Sequence, residues 1–123
     1  MKRVLIIENQ AAFREALAKL LENEADFEVA GQAGSLAQGH DLALDGLGKL
    51  DAAVVGLLLP DDNWTNFIRE LRAAEPDLPV LVLTMTQDPE VHAQVLEAGV
   101  DEVLTKAVSL EEIFATIRRL GDV

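Results

Sequence analysis

The sequence predicts an α/β fold of five β–α units around a parallel sheet. Short apolar runs alternate with segments whose apolar residues recur at helical spacing, which is typical of successive β–α units. One run, Pro79–Thr84, is apolar without a break, as expected of a strand covered on both faces. The 123 residues suit one domain with a single core, and we find no internal repeat, linker or low-complexity segment.

The strands are predicted from five short apolar runs that lie between turn or cap residues. The second run is expected at an edge of the sheet. Glycine interrupts the third run at Gly56, where it packs nothing and marks a bulge or a close approach. The predicted strands are Val4–Ile7, Phe27–Ala33, Ala52–Leu58, Pro79–Thr84 and Glu102–Thr105.

The first two helices are predicted from periodicity and capping residues. Apolar residues from Phe13 onward have helical spacing and predict a helix to about Asn23. Ser35 and Gln38 fit a capping box for the second helix. That helix carries three glycines and should therefore be the least stable one. The glycines are Gly39, Gly46 and Gly48.

The remaining three helices have clear start signals. Asp62 or Asn63 can cap a third helix that ends before Pro76. Asp88 with Pro89 starts the fourth, and Gly99 is its expected stop. Ser109 and Glu112 form a capping box for the last helix. The apolar stripes of the third and last helices are Trp64, Phe67, Ile68 and Leu71, and Leu110, Ile113, Phe114 and Ile117.

Composition narrows the classes of function. Lys and Arg number 10 against 22 Asp and Glu, and the net charge of −12 should repel a nucleic-acid backbone. There is no cysteine for a disulfide or a cysteine-based metal site, and His40 and His92 lack companions for one. No apolar run has the length of a membrane span and no signal peptide is evident. We expect a cytoplasmic domain.

A candidate site lies at the carboxyl ends of the predicted strands, where open parallel sheets place their chemistry. Four strands contribute to it, and every contributed residue is polar or glycine. These residues are Glu8, Asn9, Gly56, Thr84 and Lys106.

The segments "VLIIEN", "AAVVGLLLP", "VLVLT" and "EAGVDEVLTKA" occur in the order and at the separations of a known family. The chain resembles the receiver domain of a two-component response regulator over essentially its full length. Ala107 after Lys106, in place of proline, resembles the NarL/LuxR branch. The resemblance implies a flavodoxin-like three-layer sandwich with strand order 2-1-3-4-5.

The resemblance also implies what the site has lost. Family members carry a phosphoryl group on an aspartate at the position of Gly56, which has no side chain to accept one. Two acidic residues hold Mg²⁺ in the family; here Glu8 is acidic but Asn9 is not, so Mg²⁺ binding should be weak or absent. The aromatic switch residue on the fifth strand corresponds to Val103. We interpret the chain as a naturally degenerate, aspartate-less receiver with no cofactor.

Thr84 and Lys106 match the family's phosphate-sensing pair and leave two readings open. They could bind an anion in the crevice at the carboxyl ends of the strands, where the acceptor side chain is missing. This would make the domain a small-molecule sensor. We favour the reading in which Thr84 satisfies backbone groups and Lys106 forms a part-exposed ion pair with Glu8. Asp61 and Asp62 could be stand-in phosphoacceptors, but we favour a helix cap as the reason for an aspartate there, because both residues lie beyond Pro60 and not at the strand end.

The favoured function is a regulatory module, not an enzyme, that acts through protein–protein contacts. The resemblance implies a homodimer and a possible helix-turn-helix output domain after residue 123, so this chain would be the N-terminal part of a longer regulator. Trp64 is expected to pack against the core, with a partner-binding anchor as the alternative. Arg118 and Arg119 are expected on the exposed side of the last helix, where they suit its dipole.

Overall fold

A computed structural model describes residues 1–45, 49–57 and 64–121 of the chain. Within these ranges five strands and five helices alternate, and all strands pair in parallel in the order β2-β1-β3-β4-β5. The strands are β1 (Lys2–Ile7), β2 (Phe27–Ala33), β3 (Ala52–Leu57), β4 (Val80–Thr84) and β5 (Glu102–Thr105). The helices are α1 (Ala11–Glu22), α2 (Leu36–Asp45), α3 (Trp64–Ala74), α4 (Pro89–Glu97) and α5 (Leu110–Gly121). The predicted α/β fold, its strand order and the edge position of β2 are confirmed.

The sheet separates two apolar layers, so the domain is a three-layer sandwich. Val4 and Ile6 of β1 face the layer that contains α1 and α5, whereas Leu5 and Ile7 face the layer that contains α2, α3 and α4. The same alternation continues in β3 and β4, because successive strand side chains point to opposite faces. Every residue of β4 is buried, as its unbroken apolar sequence predicts.

Helix starts follow the predicted signals with one difference. The Ser109 Oγ accepts the Glu112 N–H at 3.2 Å, and the Asp88 carboxylate accepts the Glu90 N–H at 3.0 Å. At α2 the Ser35 Oγ accepts the Gln38 N–H at 3.1 Å, but the Gln38 side chain accepts from the Gly34 N–H at 2.8 Å. The capping box of α2 therefore differs in its second hydrogen bond. The Gln38 side chain accepts from the N–H of Gly34, one residue before the N-cap Ser35, and not from the N–H of Ser35 itself.

The turn after α4 requires glycine. Gly99 has φ +116°, a conformation that disfavours any residue with a Cβ. The predicted stop is confirmed. The proposed caps Asp62 and Asn63, the helix glycines Gly46 and Gly48, and the last predicted residue of the third strand, Leu58, lie outside the described residues. In the part of the chain that the structure describes, no helix is both long and apolar enough to cross a membrane.

Candidate functional site

The predicted site residues meet at the carboxyl edge of the sheet. Glu8 and Asn9 follow β1, Gly56 lies near the end of β3 opposite Leu83, and Thr84 ends β4. Lys106 follows β5, and its backbone N–H donates to the Thr84 carbonyl at 2.9 Å. The sheet order places β3 between β1 and β4, so Gly56 lies in the middle of this row.

Glu8 and Lys106 form an ion pair across the top of the sheet. The Lys106 Nζ donates to the Glu8 Oε1, and the two side chains are only 5% and 2% exposed. Their strands are separated by β3 and β4, which is about 14 Å at the usual spacing of neighbouring strands. The pair predicted from the sequence is confirmed, but the expectation that it is part-exposed is wrong. Two long side chains reaching toward each other over the sheet exclude water from their charged ends.

The β1–α1 segment supplies further contacts to Lys106. The Gln10 Oε1 lies 3.4 Å from its Nζ, and the Phe13 ring centroid lies 4.6 Å from the same atom. A ring face at this distance attracts an ammonium group. Lys106 is thus held by three residues of one short segment, counting Glu8.

Gly56 leaves the space through which Glu8 passes. A Cβ placed on Gly56 would lie 2.6 Å from the Glu8 Cδ and 2.9 Å from its Oε1, closer than carbon atoms can pack. The Glu8 carboxylate therefore lies in the volume of the missing residue-56 side chain. The interruption of the third apolar run corresponds to a close approach of this carboxylate, as the sequence suggested.

The main chain at Glu8 is firmly held, whereas one carboxylate oxygen is not. Its N–H donates to the Ala33 carbonyl at 2.9 Å, and its carbonyl accepts from the Arg14 guanidinium at 2.8 Å. Among the residues that the structure describes, no donor bonds the buried Glu8 Oε2. The contribution of Arg14 was not predicted, although its place one turn into α1, six residues after Glu8, is a usable signal.

The structure also shows the burial of the predicted site residues Thr84, Val103 and Asn9. The Thr84 side chain is 1% exposed, and its Oγ1 accepts the Thr86 N–H at 3.3 Å. This supports the reading in which Thr84 satisfies backbone groups. Val103 is buried in the core beside α4, and Asn9 is exposed.

These residues do not fit a magnesium ion. Mg²⁺ needs oxygen ligands in near-octahedral geometry, usually including one or two carboxylates. Glu8 is engaged with an ammonium group, and Asn9 offers only an amide. Over the described ranges, no three His, Cys, Asp or Glu side chains are grouped for a metal ion.

Trp64 and His92 have structural contacts in the part of the chain that the structure describes. Trp64 is half-buried and packs against the core, as expected. His92 donates from Nε2 to the Thr86 carbonyl at 2.8 Å. The side chain of His40, and all of Asp61 and Asp62, lie outside what the structure describes.

The two arginines of α5 form ion pairs, which the sequence did not indicate. Arg118 donates to Asp26 at 2.8 Å and to Glu24 at 2.9 Å, and its guanidinium lies 5.0 Å from the centre of the Phe27 ring. Arg119 donates to Glu102 at 2.9 Å. The hydrogen bond from Arg118 holds the pKa of Asp26 below its ordinary value.

The comparisons with known proteins show the family to which this chain belongs. The family model for the response regulator receiver domain matches residues 4–118. The chain is 33% identical over 120 residues to the response regulator MprA of Mycolicibacterium vanbaalenii, an alignment that covers 96% of this chain and 49% of that protein. It is 34% identical over 120 residues to the virulence transcriptional regulatory protein PhoP of Salmonella typhimurium, with 98% and 52% covered. The chain belongs to the response regulator receiver domain family, and it spans about half the length of these curated relatives.

Solved structures agree on the fold. The DNA-binding response regulator of the LuxR family from Staphylococcus aureus superposes with a TM-score of 0.87 at 20% identity, covering 99% of this chain and all of that one. A response regulator from Burkholderia pseudomallei, solved with a phosphorylated aspartic acid, a calcium ion and citrate, gives a TM-score of 0.81 at 27% identity. That alignment covers 98% of this chain and 69% of the other.

Proposed function

We propose that this chain is an aspartate-less receiver domain that regulates through protein–protein contacts and not through phosphorylation. One observation carries the proposal: residue 56 is glycine, and the Glu8 carboxylate lies in the volume of its missing side chain. With no carboxylate on β3 at that point, no acyl phosphate can form there. The proposal assigns no enzymatic activity and no cofactor to the domain.

The metal chemistry of the family would be absent as well. Glu8 is bound to Lys106, and Asn9 cannot replace a carboxylate ligand. Mg²⁺ would have to break a buried ion pair before it could use the one acidic side chain of this segment. We therefore expect weak Mg²⁺ binding or none. In this proposal Val103, an aliphatic residue in the core, takes no part in a switch.

The likeness to the family suggests a wider assembly. We propose that the chain is the N-terminal part of a longer cytoplasmic regulator of the NarL/LuxR type, whose helix-turn-helix domain would bind DNA. A domain of net charge −12 would leave DNA binding to that separate domain. A homodimer is the proposed state, and sedimentation velocity would show twice the 13.3 kDa mass of the chain.

The decisive experiment is the intact mass of the protein after incubation with Mg²⁺ and acetyl phosphate, beside a working receiver as control. We expect no phosphoryl adduct while the control is modified. A single adduct would overturn the proposal. The Asp61→Asn and Asp62→Asn variants would then show whether either residue is a stand-in acceptor.

An anion sensor in the crevice is a weaker alternative. The ammonium group that would bind the anion is already paired with Glu8 and almost completely buried. A thermal-shift screen with phosphate-bearing metabolites distinguishes the two functions, because a ligand at a hundred times its Kd would stabilise the fold by about 2.7 kcal/mol.

A further inference from the structure

We propose that Glu8, the acidic residue that remains after the first strand, locks the crevice by binding Lys106, and that glycine at residue 56 is what permits the lock. The inference rests on the proposed function, because it concerns how a receiver without an acceptor side chain keeps its crevice closed. Glu8 would be a positioning residue, since it acts by holding Lys106.

The first step of the argument is steric. The Glu8 side chain starts from β1 and must cross the end of β3 to reach Lys106. A Cβ on residue 56 would lie 2.6 Å from its Cδ, so even alanine would have to displace the carboxylate. Glycine lets the carboxylate keep this position, whereas any Cβ at residue 56 would make it shift. Residues 8 and 56 are therefore coupled, although they lie on different strands.

The second step is electrostatic. A lysine that is 5% exposed needs a partner, because an unpaired buried charge is strongly destabilising. No residue of β3 can supply a carboxylate at this point, since its last described residues are Val55, Gly56 and Leu57. Glu8 provides the negative charge from β1 instead. Of the carboxylates that the family places in this crevice, Glu8 is thus the one that remains to balance the charge of Lys106.

The third step is mechanical. Lys106 begins the loop between β5 and α5, and its N–H is also bonded to the Thr84 carbonyl at 2.9 Å. The Glu8 pair, together with Gln10 and Phe13, ties this loop to the β1–α1 segment. The loop is consequently fixed in one position without a ligand. Among the residues that the structure describes, Glu8 already holds the Lys106 Nζ, so an exogenous anion would have to compete with it.

The test is the rate at which the Lys106 amine is acylated in the folded protein, measured by trace labelling with acetic anhydride and peptide mass spectrometry. Lys19 on α1 is exposed and serves as the internal reference. In the unmodified chain we expect Lys106 to react at least tenfold more slowly than Lys19. Equal rates would overturn the proposal.

Gly56→Ala is the variant that tests the coupling. We expect it to raise Lys106 labelling at least fivefold, because the new Cβ pushes the carboxylate away. Gly31→Ala is the matched control, since Gly31 is also a strand glycine but pairs with Leu5 on the opposite edge of β1. It should leave Lys106 protected. Unchanged protection in folded Gly56→Ala would contradict the proposal.

Glu8→Gln keeps the test decisive if Gly56→Ala fails to fold. It removes the charge with little change in volume, and we expect faster labelling of Lys106 but not of Lys19. Protection that stays at the original level would overturn the lock. The outcome is independent of the acetyl phosphate experiment. An adduct on a chain with a protected Lys106 would refute the proposed function alone, whereas fast labelling without an adduct would refute the lock alone.

Discussion

Arg72 joins two loops of the chain through its guanidinium group. From α3 it donates to the Leu78 carbonyl at 2.6 Å and, through two nitrogens, to the Gly99 carbonyl at 2.7 and 3.1 Å. It also bonds the Asp101 carboxylate at 2.8 Å, and that carboxylate accepts the Val80 N–H at 2.8 Å. The guanidinium therefore holds the loop between α3 and β4 to the turn between α4 and β5.

We expect Arg72→Met to be among the more destabilising single substitutions in this domain. It keeps much of the apolar stem but leaves part-buried carbonyls without donors, at a cost of about 2–3 kcal/mol in the free energy of unfolding. Urea denaturation measures the change. Arg69→Met, at an exposed position of the same helix, should stay within about 0.5 kcal/mol of the original chain. Equal effects of the two variants would contradict this role for Arg72.

The crevice residues show how far residue types alone can be interpreted. Opposite charges on Glu8 and Lys106, at the ends of strands in one sheet, were enough to predict their ion pair. The burial of that pair was not predictable, because it depends on how far each side chain leans over the sheet. The overlap of Glu8 with the space of residue 56 depends on a rotamer, which the sequence does not encode locally.

At the scale of elements, the contact between α2 and β1 is unusually close. Gly39 is a buried helix residue, and a Cβ there would lie 2.6 Å from the Ile7 Cγ1. Glycine was expected to weaken α2 through its poor helix propensity. The position of Gly39 explains why a glycine is present despite this cost, since a larger residue would push α2 away from the sheet.

Gly39→Ala should therefore destabilise the domain even though alanine favours a helix. Overpacking costs about 1–3 kcal/mol, whereas the gain in propensity is about 1 kcal/mol, so we expect a net loss. Ile7→Val removes the Ile7 Cδ1, one of the atoms that the new Cβ would meet, but keeps the Cγ1. In the Gly39→Ala background it should therefore recover part of the lost stability, although alone it costs about 0.5–1.5 kcal/mol. Urea denaturation of the four chains tests this, and strict additivity would disprove the clash.

Most elements were predictable because their signals are local. Apolar runs set the strands, and Ser109, Asp88 and Gly99 set helix ends through short-range hydrogen bonds or backbone conformation. Contacts between elements distant in sequence carry no comparable signal. The bonds of Arg118 to Asp26 and Glu24 join α5 to the turn before β2, more than 90 residues away.

At the scale of the whole molecule, the charge balance is −12, and each ion pair that uses a cation offsets part of the repulsion among the carboxylates. The Arg118 pair with Asp26 is one such contact, and its hydrogen bond lowers the pKa of Asp26 in the folded state. A lowered folded pKa contributes stability above the unfolded pKa. That contribution is lost as the pH falls through the folded pKa.

We expect Asp26→Asn to be less stable than the original chain at pH 7 and to approach its stability in acid. The difference between the two should shrink as the pH drops below the ordinary aspartate pKa of about 3.9. Urea midpoints of both chains at several pH values between 7 and 3 measure it. A difference that is constant, or that widens in acid, would show that Asp26 is not stabilised as a carboxylate.

The buried pair of Glu8 and Lys106 has a consequence for signalling in time. A phosphorylated side chain is a covalent record, which persists until it is hydrolysed and so gives a receiver a memory with a defined lifetime. Two side chains that meet whenever the chain folds keep no such record. Under the function proposed above, the domain itself would not set how long a signal lasts. Its output would follow the momentary concentration of its partner and would not depend on earlier stimuli.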